Sequence, residues 1–365
     1  SELMKKSISI LGLSILSVLG FAQENSNVPL YSSGYLALPN SMNEFSLAGA
    51  ASLQGGNHHV FSLGSLTAGK QVSVYSIPSM SGSHGPQSSL TRAAANYALD
   101  ESTSIVASLG YFSAGNVEQR DAEGNVLGQF TAYETDFRVG VVKQLGEGFN
   151  LGTRLGYLST NLGSSFNNPQ ITESALLVDF SLDYLIKSTS TFDLTTYWSL
   201  TNVGKKSSFS EDNLNYLPAQ MTLGIVLDYA LNENMRIAPQ LMLQRFLVPT
   251  PPIYNADGTI FSGQAQNTSA IGSLFTSFND APEGTSEELK EWCPIIAMEL
   301  TVKEKIRVNL GSALESQEKG NRQYITMGVG YDTEKLSLGA SYIIPLSNMA
   351  GYYQGLFGIG VTYNL

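Results

Sequence analysis

Charge is scarce in this sequence: only 14% of its 365 residues are Asp, Glu, Lys or Arg, where a soluble domain carries roughly 25%. Long apolar runs are also missing beyond the opening segment, so nothing there encodes a helical span of about 20 residues. Together these two deficits argue against an ordinary soluble domain and against a helical membrane bundle. They fit a membrane β-barrel, in which lipid-facing apolar residues alternate with lumen-facing polar ones. Cysteine is limited to Cys293, which excludes an internal disulfide and a cysteine-based zinc cluster. Cationic residues are outnumbered, and the net charge is −11. A nucleic-acid partner is therefore not expected, because phosphate binding needs a basic face.

Catalytic material is equally thin. The three histidines are His58, His59 and His84, and no nucleophile-elbow motif of the G-x-S-x-G kind accompanies them. His58 and His59 are adjacent, so on a strand they point to opposite faces and chelate poorly. We expect no enzyme, no metal site and no cofactor. What the chain does have is 35 glycines and 18 tyrosines. Glycine relieves crowding in curved strands, and tyrosine suits the two membrane–water girdles.

The first residues have the layout of a cleavable export signal. Met4-Lys5-Lys6 is basic, Ile8 to Phe21 is a short apolar run, and Gly20-Phe21-Ala22 places small residues before Gln23. The signal is assigned to 4–22, and Ser1-Glu2-Leu3, which precede Met4, are set aside. Residues 23–69 are irregular and rich in small side chains, as expected of a plug segment buried inside a barrel. Residues 70–365 are expected to form the barrel itself.

Period-two alternation carries that expectation. Leu151, Thr153, Leu155 and Tyr157 alternate with Gly152, Arg154 and Gly156. Leu176, Val178, Phe180, Leu182 and Tyr184 alternate with Ala175, Leu177, Asp179, Ser181 and Asp183. An aspartate facing lipid near the midplane costs several kcal/mol, so Asp179, Asp183 and Asp228 are placed in the lumen, which fixes the strand register. The last stretch alternates Phe357, Ile359, Val361, Tyr363 and Leu365 with Gly358, Gly360, Thr362 and Asn364. Such a strand suits pairing with the first one, since an open edge in lipid leaves backbone groups unsatisfied.

The resulting strands are 70–80, 91–99, 103–113, 131–144, 148–160, 173–187, 192–203, 219–230, 234–246, 292–302, 305–315, 321–332, 335–344 and 354–365, about fourteen antiparallel strands in all. Short turns at 145–148, 231–234, 303–305 and 332–335 are assigned to the periplasmic side. The longer segments 114–130, 161–172, 204–218, 247–291 and 345–353 are assigned to the outside. Residues 247–291 are too long for a plain loop, and Ile271 to Phe278 is expected to include a short helix. Tyr352-Tyr353, Tyr197-Trp198 and Trp292 are candidates for the aromatic girdle.

Several segments resemble the PorV family, outer-membrane barrels of the type IX secretion system that share the fold of FadL fatty-acid transporters. Asn202-Val203-Gly204-Lys205-Lys206, followed by Tyr216-Leu217-Pro218-Ala219-Gln220-Met221-Thr222-Leu223-Gly224, looks like the family's strand–loop–strand. Ser277-Phe278-Asn279-Asp280-Ala281-Pro282-Glu283-Gly284 and Ser286 to Glu291 look like its S-F-x-D-A-P-x-G…E-E-L-x-E loop. Glu315-Ser316-Gln317-Glu318-Lys319-Gly320 looks like its E-S-x-E-K-G turn. One departure stands out: the family's N-P-A plug element is replaced by Asn57-His58-His59-Val60-Phe61.

The resemblance implies a FadL-like all-β barrel in the outer membrane, in contact with outer-membrane lipid. It also implies a role in receiving the C-terminal signal domain of exported cargo at an SprA-like translocon barrel. Cargo would then pass to a surface attachment complex with a PorU-like protease. On this reading Phe278, Asp280, Pro282, Glu283 and Gly284 are the partner-binding residues, because a Pro- and Gly-restrained loop presents Phe278 with little ordering cost. A FadL-like channel for uptake of hydrophobic small molecules is the alternative, since a shared fold does not decide function.

Overall fold

The computed structural model describes residues 28–29, 31–50, 69–80, 88–120, 125–161, 172–204, 207–210, 213–265, 269–347 and 356–365. The export signal, His58, His59, His84, the Asn57–Phe61 departure and Tyr352-Tyr353 lie outside these residues.

Eighteen strands are described. They are β1 (Lys70–Ile77), β2 (Ser89–Asp100), β3 (Thr103–Arg120), β4 (Val126–Gly146), β5 (Phe149–Asn161), β6 (Thr172–Ser188), β7 (Phe192–Gly204), β8 (Ser207–Ser210), β9 (Asn213–Asn215), β10 (Gln220–Asn232), β11 (Met235–Phe246), β12 (Ile253–Tyr254), β13 (Ile260–Ser262), β14 (Cys293–Val302), β15 (Ile306–Leu314), β16 (Gln323–Asp332), β17 (Leu336–Pro345) and β18 (Phe357–Asn364). Fourteen of them close into one barrel, and β8–β9 and β12–β13 form small hairpins in the loops. Each sequential neighbour in the wall is antiparallel, and β1 pairs with β18 from Gln71↔Asn364 to Ser76↔Ile359. The ring therefore has no open edge, which is the condition lipid imposes on a spanning sheet.

Alternation decides what each face meets. On β6, Leu176 and Phe180 are exposed on the outer surface, while Ala175, Leu177, Asp179, Ser181 and Asp183 are buried within. Asp228 is also on the inner row and receives both arms of Arg236, at 3.1 and 2.8 Å. The three aspartates thus sit in the lumen, as the register argument requires.

Tyr97, Tyr184, Tyr229, Tyr331 and Tyr363 are exposed near the short-turn end of the wall, and Tyr111, Tyr157 and Tyr342 lie nearer the other end. These are the tyrosine girdles. Tyr197 is not part of them. It lies on the inner row of β7 and is buried, because strand parity outranks aromatic character in deciding which way a side chain points.

The segment expected as an outer loop at 114–130 is largely strand. β3 runs to Arg120 and β4 begins at Val126, with a register shift between Ser113 and Asn116. Asn116, Glu118, Gln129 and Thr131 make the exposed face of this extension polar, so it lacks the apolar outer row that marks membrane strands. Cross-strand hydrogen bonds, such as Thr131 Oγ1 to Asn116 Oδ1 at 2.8 Å, hold it together in water instead.

Residues 31–50 run inside the barrel and end in a short helix, Met42–Ser46, capped by Ser41 through the Glu44 amide. Glycines on the inner rows of β15 to β18 form the bed for that helix. A Cβ on Gly328 would lie 2.3 Å from Ser46 Cβ, and one on Gly360 would lie 2.7 Å from Met42 Cβ. Arg307 reaches up from the wall to Asn43 Oδ1 at 2.6 Å while paired with Asp332, and Thr326 Oγ1 donates to the Ser46 carbonyl at 2.8 Å.

Candidate functional site

Two polar constellations stand out, one inside the barrel and one on its outer flank.

The inner one begins at Arg138 on β4. Its guanidinium donates to Asp136 Oδ1 at 2.8 Å, to Asp179 Oδ2 at 2.7 Å and to Asn202 Oδ1 at 2.9 Å. Arg154 adds an ion pair to Asp179 Oδ2 at 3.0 Å. Tyr35, from the inner segment, donates its hydroxyl to Asp136 Oδ2 at 3.1 Å, and its carbonyl accepts from Arg92 at 3.1 Å. Buried charges are tolerable when every one is paired in this way.

Asn202 ties the constellation to the family-like Asn202-Val203-Gly204 element. Its backbone is left-handed, with φ 59. That conformation lets its amide reach Asp179 Oδ1 at 2.6 Å while its side chain donates to the carbonyls of Leu36 at 3.1 Å and Pro218 at 3.2 Å. Two residues on, Gly204 passes so close to β6 that a Cβ would lie 2.3 Å from the Leu176 carbonyl oxygen. The Asn202–Gly204 element and Leu217-Pro218 are therefore a pin between the barrel wall and the inner segment.

The second constellation is built on the 247–292 connection between β11 and β14. It holds the β12–β13 hairpin and two helices, Ala270–Thr276 and Thr285–Lys290. The first helix lies in the stretch where one is expected. The connection folds around Arg245. On β11, Leu241 and Leu243 are on the exposed outer row, and Gln244 and Phe246 line a cleft beside the inner segment. Arg245 continues the outer row, yet it is only 3% exposed.

The loop covers it. Arg245 Nη2 donates to Glu288 Oε2 at 2.5 Å, to Glu291 Oε2 at 2.7 Å and to the Ser277 carbonyl. The Phe278 ring lies 4.7 Å from the guanidinium and the Trp292 ring 5.8 Å, within cation–π range. Trp292, expected in the girdle, is therefore part of this cover.

Lys319, from the β15–β16 connection, extends the network. Its ammonium donates to Glu287 Oε1 at 2.5 Å and Glu291 Oε1 at 3.0 Å. The two remaining oxygens are taken as well. Glu288 Oε1 accepts from the Ala281 amide at 2.9 Å, and Glu287 Oε2 accepts from the Glu283 amide at 2.7 Å. Glu315 grips Arg322 in the same connection, with Arg322 Nε 2.8 Å from Glu315 Oε2. The two loop motifs that look like PorV elements thus close on each other.

Asp280 completes the inner side of the loop. It is 3% exposed, and its Oδ2 accepts from the Thr250 amide at 3.2 Å. Burial, followed by the charges of Glu291 and Glu288, pushes its carboxyl up to about 7. Asp280, Glu288 and Glu291 each bring an oxygen within 4.8 Å of the others. Arg245, Lys319, Thr250 and the Ala281 amide already engage every oxygen of the two glutamates. The arrangement is an ion-pair clamp, with no glutamate oxygen left over for a metal.

The five residues assigned to partner binding divide by exposure. Phe278 is partly exposed and rests on Arg245. Glu283 and Gly284 are exposed at the loop surface, Pro282 is half-buried, and Asp280 points inward to hold the loop's shape. Sequence reading missed Arg245 and Lys319. Arg245 falls on a lipid-facing row, where a charge is not expected. The available signal was Glu287, Glu288 and Glu291, three carboxylates with only Lys290 as a local counter-charge, which calls for cations from elsewhere.

A closed antiparallel barrel with an apolar outer wall, tyrosine girdles and an inner segment pinned by buried ion pairs defines the class: a FadL-like outer-membrane barrel. Comparison with known proteins places it more closely. The family model of the type IX secretion system protein PorV matches residues 90–253, a little under half of the chain, and this match supports a PorV-type barrel of the outer membrane. No curated protein matches it. Among solved structures, the chain is similar to the Pseudomonas putida toluene transporter TodX, at 12% identity and a TM-score of 0.50, covering 89% of this chain and 98% of that one. A Pseudomonas aeruginosa FadL homologue is similar at 10% identity and a TM-score of 0.47, covering 92% of this chain and 100% of that one. At such identity the likeness to TodX speaks to fold alone.

Proposed function

We propose that this type IX secretion barrel receives the C-terminal signal domain of exported cargo on its outer loops and passes the cargo from the translocon to the surface attachment complex. The observation that carries this reading is the clamped 247–292 connection. Ion pairs fix it to the barrel, yet it offers exposed Tyr254, Phe261, Glu283 and Gly284 on its surface. A preformed surface binds with less ordering cost than a free loop. The pinned inner segment supports the same reading, because a receiver needs no path through its lumen. Phe278 joins this surface only at its exposed edge, and Asp280 and Pro282 serve it as scaffold.

The test is co-purification of cargo signal domains with the intact barrel. Tyr254→Ser with Phe261→Ser is expected to reduce recovery at least tenfold while the unboiled protein keeps the gel mobility of a folded barrel. Undiminished recovery would refute the loop assignment. Loss of hydrophobic-compound uptake with secretion intact in a deletion strain would favour a channel instead.

A further inference from the structure

We infer that the helix Ala270–Thr276 and its neighbours dock into the outer-leaflet interface of the surrounding lipid, as a lateral foot of the barrel. This inference rests on the outer-membrane location and not on cargo binding.

Four observations lead to it. The first is the side of the wall on which the loop lies. Arg245 belongs to the outer row of Leu241 and Leu243, so the residues that cover it, Ser277, Phe278, Glu288, Glu291 and Trp292, lie against the barrel's flank and not over its mouth. The second is lateral reach. The helix Ala270–Thr276 lies beside β7, which is separated from β11 by β10. The connection therefore runs sideways along the wall.

The third observation is height. On β11, Ile237 pairs with Tyr229 of the lower girdle, and Arg245 is eight positions further along. At about 3.3 Å per residue and a tilt of about 40°, that is a rise of roughly 20 Å. The apolar band of such barrels is about 25 Å tall. Arg245 and its cover thus fall at the upper edge of the band, level with the interface.

The fourth observation is polarity. Ile271 and Phe275 are four residues apart and share one helix face, and they are 68% and 74% exposed. Ser273, on the opposite side, is buried. A helix that buries its serine and exposes its large apolar side chains reverses the order expected in water. It matches the order expected at a membrane interface. Leu289 is equally exposed, at 68%. These side chains stand beside wall strands whose outer rows, with Leu223 and Ile225 on β10 and Leu241 and Leu243 on β11, meet hydrocarbon, and that position identifies acyl chains and headgroups as what covers them. The clamp then has a second purpose: it keeps a cation on a lipid-facing row paired and out of contact with hydrocarbon.

Site-directed spin labelling tests this on the whole barrel in phosphatidylcholine vesicles. With Cys293→Ser as background, Ile271→Cys, Phe275→Cys and Leu289→Cys each carry a nitroxide. Leu243→Cys serves as the lipid reference and Tyr254→Cys as the aqueous one. Labels at 271 and 275 are expected to collide with oxygen several-fold more than with a water-soluble nickel complex, as at 243, with the reverse at 254. Nickel accessibility at 271 and 275 equal to that at 254 would overturn the inference. Shielding from both reagents would also overturn it, because that places the face against protein. If Phe275→Cys fails to fold, the labels at 271 and 289 decide.

Discussion

Arg245 shows how one residue can break a rule that its neighbours obey. Alternation puts it on the lipid side, and Ser277, Phe278, Glu288, Glu291 and Trp292, some 32 to 47 positions further along, supply what makes that position tolerable. Removing it should be costly for the loop and cheap for the barrel. Arg245→Ala leaves Glu288 and Glu291 buried without their main partner, a loss of about 3–5 kcal/mol for a broken buried pair. The expected outcome is rapid proteolysis within 247–292 while the barrel still migrates as folded on an unboiled gel.

Asp280 adds a dependence on pH. Its folded carboxyl is raised from 3.8 to about 7 by burial beside Glu291 and Glu288. Between those values the folded form holds a proton that the unfolded form has lost, so loop stability is full below the lower value and falls until pH passes the upper one. Protection factors for hydrogen exchange in residues 276–284, corrected for the intrinsic rise of exchange with pH, should therefore be higher at pH 5.5 than at pH 8. Asp280→Asn, which keeps the shape without the charge, should remove most of that difference.

At the scale of elements, the inner segment is held by two devices, the pin at Asn202 and the glycine bed under Met42–Ser46. Each gives a prediction for conductance across a planar bilayer. Asn202→Gly keeps access to the left-handed backbone but deletes three side-chain hydrogen bonds, to Arg138, Leu36 and Pro218. Gly328→Leu drives a side chain into Ser46, 2.3 Å from where its Cβ would stand. Both should raise single-channel conductance above that of the parent, and the second more strongly, because the Ser46 Cβ that the new side chain meets is fixed to the helix backbone and cannot rotate away.

Sequence could expose only part of this. Asn202-Val203-Gly204 and Asp280-Ala281-Pro282 stood out by resemblance, but their purpose depends on Leu36, Arg245 and Lys319, which lie far away in the chain. Period-two reading reports which face a residue takes. It does not report what crosses over to meet it. The same limit explains Tyr197: its ring suggested a girdle, while its parity placed it inside.

For the molecule as a whole, the fourteen wall strands were legible because hydrocarbon on one side and polar surroundings on the other impose a binary code at every second residue. The code fades where both sides are wet, and that is where reading failed, at the polar extension of β3 and β4. A charge placed on the coded face should be penalised by depth. Leu155, exposed at the middle of β5, replaced by Arg, should lower unfolding stability in vesicles by about 2–4 kcal/mol, as read from denaturant titration. The seam between β1 and β18 has a consequence for biogenesis. Gln71 and Asn364, which bond across it at 2.9 Å, are 293 positions apart, and bringing such ends together costs roughly 5 kcal/mol in chain entropy. The ring can shut only when its last described strand meets its first, so until that moment the sheet has two bare borders whose backbone groups lipid cannot satisfy.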